Sequence, residues 1–200
     1  MSSARFASFW HGPELSAYEV ACLSSFTAYG SDVALYTYGE VENVPKGVVV
    51  KDASEIVKSD ALTAFSIDGT PSMAHFTDYF RFVMFTKTDE IWVDTDMLLL
   101  RAFDRSLEGN IIGRESATSI CTALLRLDPA DPRLLELLQR IEAMKGTSIK
   151  WGDTGPRLLT SVYGVNAGVP ESDFYPVHFD DYYKVFLPQY FELAHNAAHS

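Results

Sequence analysis

Apolar residues fall along this chain in two alternating patterns. Short runs rich in Val, Ile and aromatics, bracketed by Gly, Pro and Asp, give way to longer stretches at helical spacing. Phe6-Ala7-Ser8-Phe9-Trp10 predicts a first strand, closed by His11-Gly12-Pro13. Ser16 and Glu19 then have the S-x-x-E spacing of a capping box, predicting a helix that runs to about Tyr29 and stops at Gly30. Val33 to Tyr38 predicts a second strand. Val48-Val49-Val50, after the turn at Pro45-Lys46-Gly47, predicts a third with Asp52 beyond it. A strand, a helix and a strand in that order open a parallel α/β sheet.

The alternation continues downstream. After a loop containing Asp68-Gly69-Thr70-Pro71-Ser72, the positions of Phe76, Phe80, Val83 and Met84 predict a helix from Met73 to Lys87. The polar turn Lys87-Thr88-Asp89-Glu90 leads into Ile91-Trp92-Val93-Asp94-Thr95-Asp96, an apolar run that predicts a buried strand with acids at its tip. Asn110 to Arg114 predicts a further strand, while Ser119 to Leu127 fits a strand or a buried helix equally. Asp131 and Pro132 are suited to the cap and first position of a helix ending near Lys145-Gly146, with Leu134, Leu135, Leu137, Leu138 and Ile141 inward. Trp151 to Thr160 is a Gly-rich loop feeding a helix at Pro156. Tyr175 to Phe179 predicts a last strand with the acidic, aromatic edge Asp180 to Tyr183. The Ala-rich end, with His195 and His199, is expected to fray.

Composition narrows this picture. At 200 residues, 47% hydrophobic and 22% charged, the chain suits one ordinary globular domain. A net charge of -11 excludes the basic stripe of a nucleic-acid surface and any pull toward anionic lipid. Cys22 and Cys121 both lie in apolar segments and read as free thiols. No apolar run approaches membrane-spanning length and the first residues lack a signal core, so the expectation is a cytoplasmic protein.

The candidate chemistry begins at Asp94 and Asp96. On an extended chain, side chains two apart share a face, so the two carboxylates are expected to point together from the carboxyl end of a central strand. That end is where ligands bind in open α/β sheets. Two hard oxygen ligands beside a diphosphate suit Mg²⁺ or Mn²⁺. The plain alternative for an isolated D-x-D is an acidic pair facing water. Asp78 and Arg81, three apart on one helix, read locally as a surface ion pair. The helix start at Pro156 offers free N–H groups to a phosphate or sugar oxygen, or else the loop is a simple tight turn.

Together these stretches resemble a known family. Phe76-Thr77-Asp78-Tyr79-Phe80-Arg81 followed by Ile91 to Asp96 is similar to the sugar-binding region of DxD-containing glycosyltransferases. These include initiating α-mannosyltransferases, α1,4-galactosyl- and α1,4-N-acetylglucosaminyltransferases, and large glucosylating toxins. Phe9-Trp10-His11-Gly12 with Leu15-Ser16 resembles the family's first strand, and Trp151-Gly152-Asp153-Thr154-Gly155-Pro156 with Leu158-Leu159-Thr160 resembles its W-G-x-x-G-P-x-L-L-T segment. Two departures stand out. Thr88-Asp89-Glu90 replaces paired glycines before the D-x-D strand, and Ser116 to Thr122 replaces an Asn-containing segment.

The resemblance implies a GT-A type nucleotide-diphospho-sugar transferase fold, a mostly parallel sheet flanked by helices, as a single domain over residues 1–200 that could lack the family's closing C-terminal segment. It implies a metal-dependent retaining enzyme moving a hexose from a nucleoside-diphosphate sugar to a saccharide or other hydroxyl acceptor, as in polysaccharide biosynthesis, with UDP-sugars favoured over GDP-sugars. Phe9 and Trp10 would hold the base, and Asp78 and Arg81 the donor sugar and its phosphate. Asp94 and Thr95 would lie at the donor, and Asp94 and Asp96 at Mn²⁺ or Mg²⁺. Gly155 and Pro156 would line the sugar. Arg81 would assist the leaving group, and Asp153 is the named carboxylate for a double displacement. His178 is a substitute for a third metal ligand. Two other readings stay open: a haloacid-dehalogenase-like phosphotransferase with Asp94 as nucleophile, and a non-catalytic nucleotide-sugar-binding protein.

Overall fold

The protein is described from a computed structural model covering residues 4–103, 108–175, 177–190 and 192. Its sheet has six strands in the order β3-β2-β1-β6-β8-β7: β1 Arg5–Phe9, β2 Asp32–Thr37, β3 Val48–Asp52, β6 Ile91–Val93, β7 Ile111–Arg114 and β8 Ile120–Arg126. The first four in that order pair in parallel, while β8 runs antiparallel to both β6 and β7. The ambiguous stretch from Ser119 to Leu127 is therefore a strand. A small hairpin, β4 Ser66–Ile67 and β5 Thr70–Pro71, turns through Asp68 and Gly69 at positive φ, where only a loop was expected.

Alternation along the strands divides the core in two. Phe6, Val33, Leu35, Ile91 and Val93 point to the face covered by α1 (Ala17–Ala28). That helix starts as its spacing predicts: Ser16 N–H donates to Glu19 Oε2 at 2.8 Å, and the Ser16 hydroxyl accepts from Tyr18 N–H at 3.2 Å. Ala7, Phe9, Ala34, Tyr36 and Trp92 point the other way, toward α2 (Met73–Met84), α3 (Pro132–Glu142) and α4 (Pro156–Tyr163). Helices on both faces of a mostly parallel sheet make the expected α/β fold.

One expected element is absent. Tyr175 and residues 177–179 form no strand; α5 (Glu171–Phe174) precedes them, and a 3-10 helix runs over Phe179–Phe186. The physical reason lies at the sheet edge. Val169 N–H donates to the Ile112 carbonyl at 2.9 Å and the Val169 carbonyl accepts from Arg114 N–H at 3.1 Å, so β7 already has its outer partner. Pro176, His195 and His199 lie outside the described residues.

Candidate functional site

The central strand ends at Val93, three residues short of the run from Ile91 to Asp96 that predicts it. Asp94 N–H makes the last bond to β8, reaching the Ala123 carbonyl at 2.8 Å, and Met97 N–H donates to the Asp94 carbonyl at 3.1 Å. Asp94 to Met97 is thus a turn, and the extended-chain argument for the two carboxylates does not apply. With no further partner strand to hold it straight, a run of Asp, Thr and Asp bends. Tyr18 of α1 holds the turn from the opposite face by donating its hydroxyl to the Asp96 carbonyl at 3.1 Å. The bend still turns Asp94, Thr95 and Asp96 toward one cavity of about 540 Å³, beyond the carboxyl ends of β1 and β6.

Helix α2 supplies the cavity floor. Asp78 and Arg81 are both buried, which removes the surface ion-pair alternative. One Arg81 Nη2 lies 3.4 Å from Asp78 Oδ1 and 3.2 Å from Asp94 Oδ1, so a single guanidinium bridges helix and strand tip. Its other terminal nitrogen donates to the Thr122 carbonyl on β8, and its plane lies 4.7 Å from the Trp92 ring centroid. Trp92 in turn donates its indole N–H to Asp94 Oδ1 at 2.6 Å. Burial pushes the Asp78 carboxyl above the usual carboxylate range, against the opposing pull of Arg81 and the Thr154 hydroxyl.

The Gly-rich loop closes over Asp78. The Thr154 hydroxyl donates to Asp78 Oδ2 at 2.8 Å. A methyl group on Gly155 would sit 2.6 Å from that same oxygen and 2.8 Å from the other, so glycine is required by close approach. Pro156 then starts α4 and lines the cavity with Gly152 and Trp151. Asp153 is placed differently. Its Oδ2 accepts from Lys150 N–H at 2.8 Å, its Oδ1 pairs with Arg157 at 3.1 Å, and it is not among the cavity-lining residues. The Lys150 bond lowers its pKa, with Arg157 adding to the effect.

At the other end, Phe9 is buried against Tyr38, Phe76 and Phe80 and touches the cavity from the core. Trp10 is half-buried, its indole N–H donating to the Glu14 carbonyl at 3.1 Å. It borders both this cavity and an adjoining one of about 370 Å³ formed by Trp10 to Pro13 and Thr37 to Val41.

The sequence assigns no role at the site to four lining residues, although Trp92 and Trp151 stand inside its motifs. Trp92 looked like core, although its position two residues before Asp94, on the same face of an extended chain, was a usable signal. His75 is buried, holding the Ser72 hydroxyl at 2.7 Å and the Lys150 carbonyl at 3.1 Å, and its ring meets Trp151 edge-on. Trp151, 70% exposed, stands at the rim. Glu115 comes from the turn joining β7 and β8, where the sequence carries no motif.

The wall carries Asp78, Asp94, Asp96 and Glu115 against the guanidinium of Arg81. Asp96 is exposed yet surrounded by enough protein that desolvation, and next the like charge of Asp94, raises its pKa. Among the described residues, no three His, Cys, Asp or Glu side chains are grouped to hold a metal ion. His178 is exposed, accepts from Asp180 N–H at 3.2 Å and does not line the cavity. None of the described helices is long and apolar enough to cross a membrane.

No family model and no curated protein sequence matches the chain. A solved structure titled "PaToxG Glycosyltransferase" matches with a TM-score of 0.58 at 12% identity, over 98% of this chain and 78% of that one. At that identity the likeness is one of fold, and the fold is that of a GT-A type glycosyltransferase.

Proposed function

We propose that the chain is a metal-dependent retaining glycosyltransferase, moving a hexose from a nucleoside-diphosphate sugar, with UDP-sugars favoured, to a saccharide or other hydroxyl acceptor. The supporting observation is convergence. Trp10, Asp78, Arg81, Asp94, Thr95, Asp96 and Pro156, scattered from β1 to α4, line one cavity at the strand ends of a fold shared with a glycosyltransferase. An anionic donor meeting four carboxylates and one guanidinium needs a counter-charge, and the two hard carboxylates at the strand tip suit Mn²⁺ or Mg²⁺. Asp94 already carries Trp92 and Arg81, so Asp96 is the better placed direct ligand, with Asp94 behind it and the diphosphate completing the set. Bound there, the ion would act as a Lewis acid toward the leaving diphosphate.

The chain's own residues do the rest. Trp10 offers an aromatic surface to the base, and the 370 Å³ cavity beside it has room for a nucleoside. Arg81 is held on both sides by carboxylates, so it presents a fixed dipolar wall to the departing phosphate. Asp78 and the Thr154–Pro156 loop shape the sugar pocket, and Trp151 offers a face to an acceptor saccharide. Asp153 serves this reading by fixing the loop through Lys150 and Arg157. A cytoplasmic setting belongs to the same proposal and accords with the free thiols of Cys22 and Cys121. The phosphotransferase alternative is weaker, since the fold is the one shared with a glycosyltransferase.

The test is a thermal-shift panel of UDP- and GDP-sugars with and without Mn²⁺, followed by measurement of nucleoside-diphosphate release. A donor at a hundred times its Kd should stabilise the protein by about 2.7 kcal/mol. That stabilisation should need the metal and vanish in Asp96→Ala. Donor binding indifferent to metal would refute the metal role. Binding without any release would identify a non-catalytic binder.

A further inference from the structure

The two cavities lie side by side at the strand ends, and among the described residues only Trp10 and His11 line both. A diphosphate joining a nucleoside in the smaller cavity to a sugar in the larger one has to cross at that seam. The turn carrying the seam is fixed at both ends. The Trp10 backbone N–H donates to the Tyr36 carbonyl on β2 at 3.0 Å. Farther on, Glu42 N–H donates to the Pro13 carbonyl at 2.8 Å, and Leu15 N–H to the Glu42 carbonyl at 3.1 Å. Between these anchors the Trp10 indole folds back on the turn. Its nitrogen lies 3.1 Å from where a methyl group on Gly12 would sit, and it is committed to the Glu14 carbonyl.

His11 is placed differently. It is exposed, and among the described residues no hydrogen bond or ion pair engages its imidazole. The other basic side chains of the larger cavity are engaged: His75 by Ser72 and the Lys150 carbonyl, Arg81 by Asp78, Asp94 and the Thr122 carbonyl. An imidazole keeps at least one N–H in either protonation state, so it can donate to a phosphate oxygen whether or not it is charged.

We propose that His11 holds the donor's diphosphate at the seam by donating an imidazole N–H to a phosphate oxygen. The inference rests on the glycosyltransferase reading and adds to it a contact to the diphosphate from the turn after β1. Donor and released nucleoside diphosphate share this contact, and the free nucleoside lacks it.

The test takes UDP, GDP, uridine and guanosine as probes with Mg²⁺, and reads affinities by NMR titration. His11→Ala should weaken whichever diphosphate the parent binds by about tenfold to a hundredfold, the loss of a hydrogen bond to a charged group. The matching nucleoside should stay within about threefold. His11→Gln, which keeps an N–H donor, should fall between. Both variants should melt with the parent when unliganded. In protein carrying ¹⁵N-histidine, the ring signals missing from His11→Ala should shift with the diphosphate and stay in place with the nucleoside. Unchanged diphosphate affinity in His11→Ala would overturn the assignment. Equal losses for nucleoside and diphosphate would do the same, as would ring signals that the diphosphate does not move. A parent that binds neither diphosphate and releases neither from a sugar donor defeats the glycosyltransferase reading, and the assignment falls with it. That result is seen in the parent alone, before any substitution.

Discussion

The floor and the rim of the cavity obey different rules. On the floor, Asp78, Arg81, Trp92 and Thr154 are held by one another, and Asp94 gives its Oδ1 to both Trp92 and Arg81, partners from α2, the central strand tip and the loop before α4. At the rim, Asp96 and Trp151 face solvent and Glu115 keeps one oxygen free. Saturated groups hold a shape, and unsaturated ones have something left to offer a ligand. The contrast separates residues that build the pocket from residues that act in it, although all of them line the same space.

The contrast can be broken from the floor. Arg81→Met would leave Asp78 and Asp94 without their shared cation, and removing one partner of a buried pair costs about 3 to 5 kcal/mol. Urea unfolding should show that loss, and a cost below about 1 kcal/mol, the level of surface pairs, would erase the distinction between floor and rim. Gly155→Ala comes next. Its new methyl group would press on both Asp78 oxygens, and the strain expected of an overpacked site is about 1 to 3 kcal/mol. A crystal structure of that variant should show the Thr154–Asp78 bond lengthened or lost. The rim gives the smallest effect on stability. Trp151→Ala should unfold within about 0.5 kcal/mol of the parent. Its acceptor KM should rise about threefold to tenfold, equivalent to about 1 kcal/mol of ring stacking, and a KM unchanged across a panel of saccharide acceptors would remove Trp151 from the site.

The same difference decides which features are legible in the order of amino acids alone. The helix at Ser16, the sheet alternation and the separate D-x-D and W-G-x-x-G-P stretches depend on local spacing, and local spacing is visible in a sequence. The exact end of the central strand is not, because it depends on where β8 stops pairing with it. The expected strand after Tyr175 failed similarly: its apolar alternation was real, but Val169 had already taken the edge of β7. Asp78 and Arg81 looked like an ordinary helical pair because burial on α2 comes from packing between sheet and loop. Glu115 gave no warning at all, since a carboxylate in a short turn becomes notable only through the neighbours that the fold brings to it.

The excess of acid around the pocket has a kinetic consequence. Under the proposed function, a negatively charged sugar nucleotide approaching a protein of net charge -11 through a mouth lined with carboxylates meets repulsion at long range. Dissolved ions shorten the reach of that repulsion to about 8 Å at physiological ionic strength. Capture of the free donor should therefore quicken as salt is added, opposite to the behaviour of sites with basic entrances. A donor arriving already paired with its cation would feel little of this barrier, which favours that complex as the species that docks.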